Sequence, residues 1–228
     1  MPLQTYSLDR SVRMKSYIVI GLGRFGTEVA IRLCQLGCEV LAVDSRSEPV
    51  QQISDGVTHA VVADARDVNV LRALGAAEFD CGIVAIGGNL AESVLATMSL
   101  KELGIPTVVC KAHDDVHAQV LKKLGADRVV IPEKENAQRL AKSLSSENVL
   151  DYIELSDDYG IIDVPAPESW IYKNLRELNV RAKLGVNILA IKRDGKINVS
   201  PSAEFVIEEG DVMVILGDNQ ALRRVQKL

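Results

Sequence analysis

The sequence predicts an α/β protein: a Rossmann-like, doubly wound parallel sheet followed by a small α+β lobe. Three observations carry this. Strand-length apolar runs alternate with amphipathic helical stretches over residues 14–145, as repeated βαβ units require. The first unit places Gly21, Gly23 and Gly26 as G-x-G-x-x-G between a strand and a helix. Near residue 150 the alternation gives way to paired strands and a hairpin signal. Composition agrees, with 47% apolar but only 4% aromatic residues. The cores must then be built from Val, Ile, Leu and Ala, which suits strands buried on both faces.

Taken in order, "YIVIG" is the first strand and "RFGTEVAIRLCQLG" its helix, with Phe25, Val29, Leu33 and Leu36 expected on the inner face and Gly37 at the end. "EVLAVD" is the second strand, before a polar helix around "SEPVQQIS". "THAVVAD" and "DVNVLRALG" form the third strand and helix, and "CGIVAIG" and "LAESVLATMSLKELG" the fourth. "PTVVCKA" and "DVHAQVLKKLG" follow, then "DRVVIP" and "NAQRLAKSL". Several helices end in Leu-Gly, which supplies a left-handed cap before the chain returns to the sheet. Right-handed crossovers put the ligand crevice at the carboxyl ends of strands one and four.

Beyond residue 150, "VLDYIELSDDYGIIDVPAPE" reads as two strands joined by a polar turn and "WIYKNLREL" as a short helix. "VNILAIKRDGKINVSP" reads as a hairpin turning at Asp194-Gly195, "DVMVILGD" as a strand and "NQALRRVQKL" as a closing helix. The expected division is an extension at 1–13, a nucleotide-binding lobe at 14–145 and a C-terminal lobe at 146–228. A lobe of about 75 residues is small for a free-standing domain, so a partner copy is expected to help stabilise it.

The net charge of −5 is spread over interspersed signs, with no basic block to suggest nucleic acid or an anionic membrane surface. The longest apolar runs are far below the roughly 20 residues that span a bilayer. The first residues, "MPLQTYSLDRSVRMKS", lack the apolar core of a secretory signal, so a cytoplasmic protein is expected, able to dock on a membrane protein. Cys34, Cys38, Cys81 and Cys110 show neither a disulfide framework nor zinc spacing and read as reduced thiols.

The glycines say which chemistry comes close. The first permits the tight turn, the second a close backbone approach to phosphate, the third close helix–strand packing. The helix start adds amide donors and a positive dipole end. Asp44 ends the second strand 23 residues after Gly21, where a carboxylate can accept both ribose hydroxyls. Asp64 reads either as an adenine contact or as a helix cap. Ile86, Gly87 and Gly88 face the glycine turn across the switch point. Lys111 ends the fifth strand and Glu133 follows the sixth. Arg24 suits a terminal phosphate, as in ATP or ADP, or else points to solvent. Glu133 would repel that phosphate unless a cation lies between them, or unless it pairs with Arg24 or Lys111.

No catalytic constellation accompanies the site. His59 lies in a strand and His117 on a helix. His113, beside Asp114 and Asp115, caps a helix or contacts the nucleotide. No G-x-S-x-G or Walker sequence is present. A sensor is the first expectation and an NAD(P)-dependent oxidoreductase the alternative.

Beyond the glycines, "YIVIGLGRFG", "EVLAVD", "GIVAIGGN", "CKAHDDVHAQVLKKLGADRVVIPEKENAQRLA", "ENVLDYIELSDDYGI" and "LNVRAKLGVNILAIKRDG" resemble the regulator-of-potassium-conductance (RCK) subunits of bacterial Ktr and Trk potassium uptake systems, over about residues 14–228. The resemblance implies dimers that build an octameric ring beneath a KtrB- or TrkH-like membrane subunit and gate it at the inner face of the membrane. It implies ATP and ADP as ligands, with NAD(H) also reported for the family. The implied contacts are Gly21, Leu22, Gly23, Arg24, Phe25 and Gly26 of the turn, Asp44, Asp64 and Ala65, Ile86 to Gly88, and Lys111, Ala112 and His113. Arg24 would meet the terminal phosphate within its own site or across the dimer. Glu133 would hold a divalent or monovalent cation beside that phosphate. In the C-terminal lobe the resemblance implies cyclic di-AMP at a dimer interface, with Arg181, Ile188 and Pro201; the other reading of Arg181 is a helix-end salt bridge. Some relatives carry Asn where this chain has Asp64.

Overall fold

The computed structural model describes residues 14–144, 149–156 and 158–228, without the side chains of 142 and 143. The extension expected at 1–13 and the lobe boundary expected at 145/146 lie outside the described residues. The chain divides into two compact units, one ending at Glu133 and the other running from Lys134 to Leu228.

In the first unit, strands and helices alternate as β1 (Ser16–Ile20), α1 (Arg24–Gln35), β2 (Glu39–Asp44), α2 (Ser47–Ile53), β3 (His59–Val62), α3 (Val68–Ala73), β4 (Cys81–Val84), α4 (Leu90–Glu102), β5 (Thr107–Lys111), α5 (Asp115–Lys123) and β6 (Arg128–Val130). The six strands lie in the order β3-β2-β1-β4-β5-β6, every pair parallel. Neighbours β1 and β4 thus mark the switch point. Alternate side chains of β1 enter different apolar clusters: Ile18 and Ile20 join Val84, Leu100 and Leu121, whereas Val19 joins Val40, Ile53 and Ile83. That period of two makes a strand buried on both faces read as one unbroken apolar run.

The inner face of α1 differs from the expected one. Gly26 and Ala30 are its buried residues, with Val29 and Leu33 partly buried beside them, while Leu36 is 79% exposed at the cap. Small residues at the contact let the helix backbone approach the sheet, so the larger side chains sit at the margins. The Leu-Gly helix ends do adopt the left-handed conformation, as at Gly125 (φ +92°) after α5.

The next helix, α6 (Pro132–Leu144), begins four residues before the expected stretch, so Glu133 sits in its first turn. The second unit contains β7 (Asp151–Glu154), β8 (Tyr159–Pro165), α7 (Leu175–Leu178), α8 (Val180–Leu184), β9 (Asn187–Arg193), β10 (Lys196–Asn198), β11 (Val212–Asp218) and α9 (Asn219–Val225). Its strands form an antiparallel sheet in the order β10-β9-β11-β8-β7. The β9–β10 hairpin turns through Asp194 and Gly195, both at positive φ (50° and 73°), the signature of the turn that matches strand twist.

The single helix expected over "WIYKNLREL" is not formed. Glu168–Trp170 makes one 3₁₀ turn and helix resumes only at Leu175. Tertiary pairing wins between them: the amide of Tyr172 donates to Ile207 O (2.7 Å) and that of Leu175 to Phe205 O (3.2 Å). Asn174 then starts α7 through a capping box with Glu177. Trp170, the only tryptophan, lies in this unit's core with Ile162, Ile191 and Met213. Arg193 Nε and Nη2 grip Asp211 at 2.7 and 2.8 Å, and Asp211 is fully buried.

Candidate functional site

The glycine turn is held rigidly at the carboxyl ends of the central strands. The Gly21 amide donates to Val43 O (2.8 Å), that of Leu22 to Asp44 Oδ2 (2.8 Å) and that of Ala85 to Ile20 O (2.7 Å). Gly21 has φ +93°, and a Cβ there would lie 2.9 Å from Ile86 Cγ1. A Cβ on Gly26 would lie 1.9 Å from Gly21 O, so only glycine lets α1 cross the turn. Gly23 is different: among the described residues nothing lies within 4 Å of where its Cβ would be. The space above it is open.

That space lies at the start of α1. The first helical bond runs from Thr27 N to Gly23 O (2.9 Å), which leaves the amides of Arg24, Phe25 and Gly26 without intrahelical acceptors. Among the described residues no side chain caps them, and no acidic residue occupies the first turn. A 12-residue helix thus presents bare donors and its positive dipole end to an open cradle.

A cavity of about 310 Å³ runs from this turn along the ends of β2, β3 and β4. Gly21 and Gly23 of the turn line it, as do Asp44, Asp64 and Ala65 and, after β4, Ile86, Gly87 and Gly88. Arg24, Phe25, Lys111, Ala112, His113 and Glu133 are not among its lining residues, and Leu22, Ala65 and Ala112 bury their side chains, leaving only backbone to offer. Ser45, Arg46, Arg66, Asn89 and Glu92 also line it. The sequence reading missed them, although a repeated signal was present: "DSR" after β2 and "DAR" after β3.

Both Asp-x-Arg segments fold alike. Asp44 Oδ1 accepts from the Arg46 amide (2.9 Å) and from Arg46 Nε (3.2 Å). Asp64 Oδ1 accepts from the Arg66 amide (3.0 Å) and from Nε (2.8 Å), while Nη2 reaches Oδ2 (2.7 Å). Burial alone would raise the Asp44 pKa, but hydrogen bonds from Arg46 and the Leu22 amide outweigh it and hold the carboxyl below its usual range. The Arg66 guanidinium pulls Asp64 down to about 2. Asp64 is not a helix cap; Asp67 caps α3 by accepting from the Asn69 amide (2.8 Å).

On the other side of the turn, Lys111 Nζ donates to Glu133 Oε1 at 2.6 Å and sits 5.6 Å from the Phe25 ring centroid. This pair holds Glu133 below the usual carboxylate range, with a smaller contribution from nearby Arg24. Among the described residues, Arg24 itself is exposed and carries no hydrogen bond or ion pair.

His113 does not cap α5; Asp114 does, accepting from the His117 amide (2.7 Å). The two histidines meet Nδ1 to Nδ1 at 2.8 Å, so one must donate and the other accept. His117 is buried, with Nε2 3.2 Å from Ser93 Oγ, and its burial lowers its pKa. In the second unit Arg181 is exposed on α8, Ile188 lies on β9 against the core and Pro201 lies in the loop after β10. No ion pair holds Arg181 among the described residues. All four cysteines are free thiols. No helix among the described residues is long and apolar enough to cross a membrane.

Known proteins match this arrangement. A family model described as the TrkA-N domain matches residues 17–132, and one described as the TrkA-C domain matches residues 160–228. The chain is 46% identical over 215 residues to the Ktr system potassium uptake protein A of Bacillus subtilis (strain 168), covering 94% of this chain and 97% of that protein. It is 32% identical over 208 residues to the Ktr system potassium uptake protein A of Vibrio alginolyticus, covering 91% and 94%. Among solved structures, the RCK domain of GsuK aligns with 97% of this chain and 48% of its own, at a TM-score of 0.67 and 20% identity. The GsuK channel bound to NAD aligns with 97% of this chain and 40% of its own, at 0.66 and 19%. At that identity the likeness speaks for the fold, and this chain spans about half or less of those solved chains. With both TrkA domains in order and the likeness to Ktr proteins running along nearly the whole chain, this protein belongs to the Ktr/TrkA family of regulatory subunits of potassium uptake systems, a family of regulators and not of enzymes.

Proposed function

We propose that the chain senses an adenine nucleotide at the cavity of its first unit and passes the signal to a membrane potassium channel or transporter subunit of KtrB or TrkH type. The observation that carries the ligand reading is the open cradle over Gly23, flanked by uncapped helix amides and by Asp44. Phosphates would lie over the amides, ribose at Asp44 and the base beyond, towards Asp64. ATP differs from ADP by one charged phosphate. Only a group that meets this phosphate differently in two assembly states shifts their balance. Arg24, exposed on the first helical turn and without an ion pair among the described residues, is that group. Lys111 neutralises Glu133 at rest, so a phosphate entering here competes with Glu133 for Lys111 or shares a cation with it. Assembly into dimers and an octameric ring, cytoplasmic at the inner membrane face, would couple the sites to the channel. Cyclic di-AMP would act separately in the second unit through Arg181, Ile188 and Pro201.

NAD(H) is the second ligand reading, favoured by the fold likeness to the GsuK channel solved with NAD. Titration calorimetry of the full chain separates the two. An Arg24→Gln protein is expected to keep ADP binding and lose most of its preference for ATP. An unchanged ATP-to-ADP affinity ratio would assign Arg24 no part in sensing.

A further inference from the structure

Resting on the nucleotide reading above, we infer that Arg46 and Arg66 form the base-recognition wall of the cavity, taking a purine by stacking guanidinium planes on its face. The observation is the doubled Asp-x-Arg device. At the end of β2 and again at the end of β3, an aspartate accepts from the amide and the side chain of the arginine two residues later. Both arginines line the cavity, Arg46 on the carboxylate that also takes the Leu22 amide and Arg66 on the next strand's aspartate. They are partly exposed, at 66% and 50% of the side chain, so their positions come from the carboxylates and not from burial.

A carboxylate that grips a guanidinium along its Nε–Nη2 edge fixes the plane and leaves the flat faces free. Such a face suits the π-surface of a base. It suits a further phosphate poorly. Around them three carboxylates (Asp44, Asp64 and Glu92) stand against two guanidiniums, and Glu92 Oε1 lies 4.0 Å from Arg66 Nη1. The local excess is negative, so a ribose carrying its own phosphate is repelled. The Asp64 carboxylate, committed to Arg66, acts as a positioning residue and not as the adenine contact itself. The device selects a large flat base on an unphosphorylated ribose.

The test is titration calorimetry of the full chain with ATP, UTP, NADH and NADPH. Wild-type protein is expected to prefer ATP over UTP and NADH over NADPH. Arg66→Ala should weaken ATP by roughly 3- to 30-fold, the range of one cation–π contact, and weaken UTP less. Arg66→Lys should behave like the alanine variant, because it keeps the charge and loses the plane. Arg46→Ala, on an independent loop, should narrow the ATP-to-UTP ratio in the same direction. An unchanged ratio in both alanine variants, or full rescue by lysine, overturns the stacking assignment. So does tighter binding of NADPH than NADH, which would make the arginines a seat for a ribose phosphate. These results leave nucleotide binding itself intact. Failure of wild-type protein to bind any of the four ligands removes the nucleotide reading, and this inference with it.

Discussion

Replacing Gly23 and Gly26 by alanine, one at a time, separates what the glycine turn does for the fold from what it does for a ligand. At Gly26 the added Cβ would stand 1.9 Å from Gly21 O, about 1.5 Å short of an ordinary contact of 3.4 Å. The obstacle is backbone, fixed by the bond from Gly21 N to Val43 O, so it cannot swing aside. The helix must move off the sheet, and overpacking of this kind costs about 1–3 kcal/mol. For a chain of this length that lowers Tm by several degrees, at roughly 2–4 °C per kcal/mol. Gly23 has φ −76° and ψ −177°, which any residue adopts, and its Cβ meets nothing. Alanine at this cap costs no more than about 1 kcal/mol. The same methyl fills the cradle where a phosphate would approach, so ATP affinity should fall at least ten-fold, or about 1.4 kcal/mol. Thermal unfolding and titration calorimetry on both proteins give the two axes. The reasoning is refuted if the Gly23→Ala protein binds ATP like wild type, or if the two variants lose stability equally.

Two further outcomes follow from the same structure. Asp211→Ala should destabilise the second unit by about 1–3 kcal/mol, because it removes the buried acceptor of Arg193 and of the Glu208 amide while Arg193 keeps Glu208, and fluorescence of the sole tryptophan, Trp170, reports that unit's unfolding. Burial would raise the Asp211 pKa, but the Arg193 hydrogen bonds and the Glu208 amide lower it overall. Its contribution is therefore complete above the unfolded value of about 3.9 and fades as pH falls through the lower folded value, a fade the alanine variant should lack. Cys110 should resist thiol reagents at pH 8 until the protein unfolds, since burial pushes it up to about 11 against a weaker opposing contact from Thr97. Cys34 and Cys38, which are partly exposed, should react in the native state, and labelling followed by peptide mapping checks both.

The fold was legible where local signals and the tertiary structure agree. Alternating apolar runs, Leu-Gly helix ends and the Asp194-Gly195 turn each have one local solution, and the molecule uses it. The helix expected around Trp170 is not formed because the Tyr172 and Leu175 amides bond to Ile207 and Phe205, residues 30 or more positions away that no local pattern announces. The inner face of α1 differs from the expected one because size is a poor guide to burial where a helix lies close on a sheet. At a close helix–sheet contact, absence of size is what buries Gly26 and Ala30.

The candidate site was partly legible for the same reason. Glycine spacing and Asp44 mark the phosphate and ribose ends through backbone geometry, which sequence spacing fixes. Arg46 and Arg66 were passed over because an exposed arginine in a polar loop ordinarily points to solvent. In the folded chain each is turned back on an aspartate two residues earlier. The Lys111–Glu133 pair was one of several arrangements the sequence allowed, and the structure selects it at 2.6 Å.

The central proposal is that the cavity over Gly23 controls potassium uptake. Uptake by a transporter-deficient bacterium, given a Ktr- or Trk-type membrane subunit together with either wild-type or Gly23→Ala chain, tests it in one comparison. Wild-type chain should support uptake responsive to the cell's ATP-to-ADP ratio, and the Gly23→Ala chain, folded and present in equal amount, should lose that response. Equal response from the two proteins would contradict it.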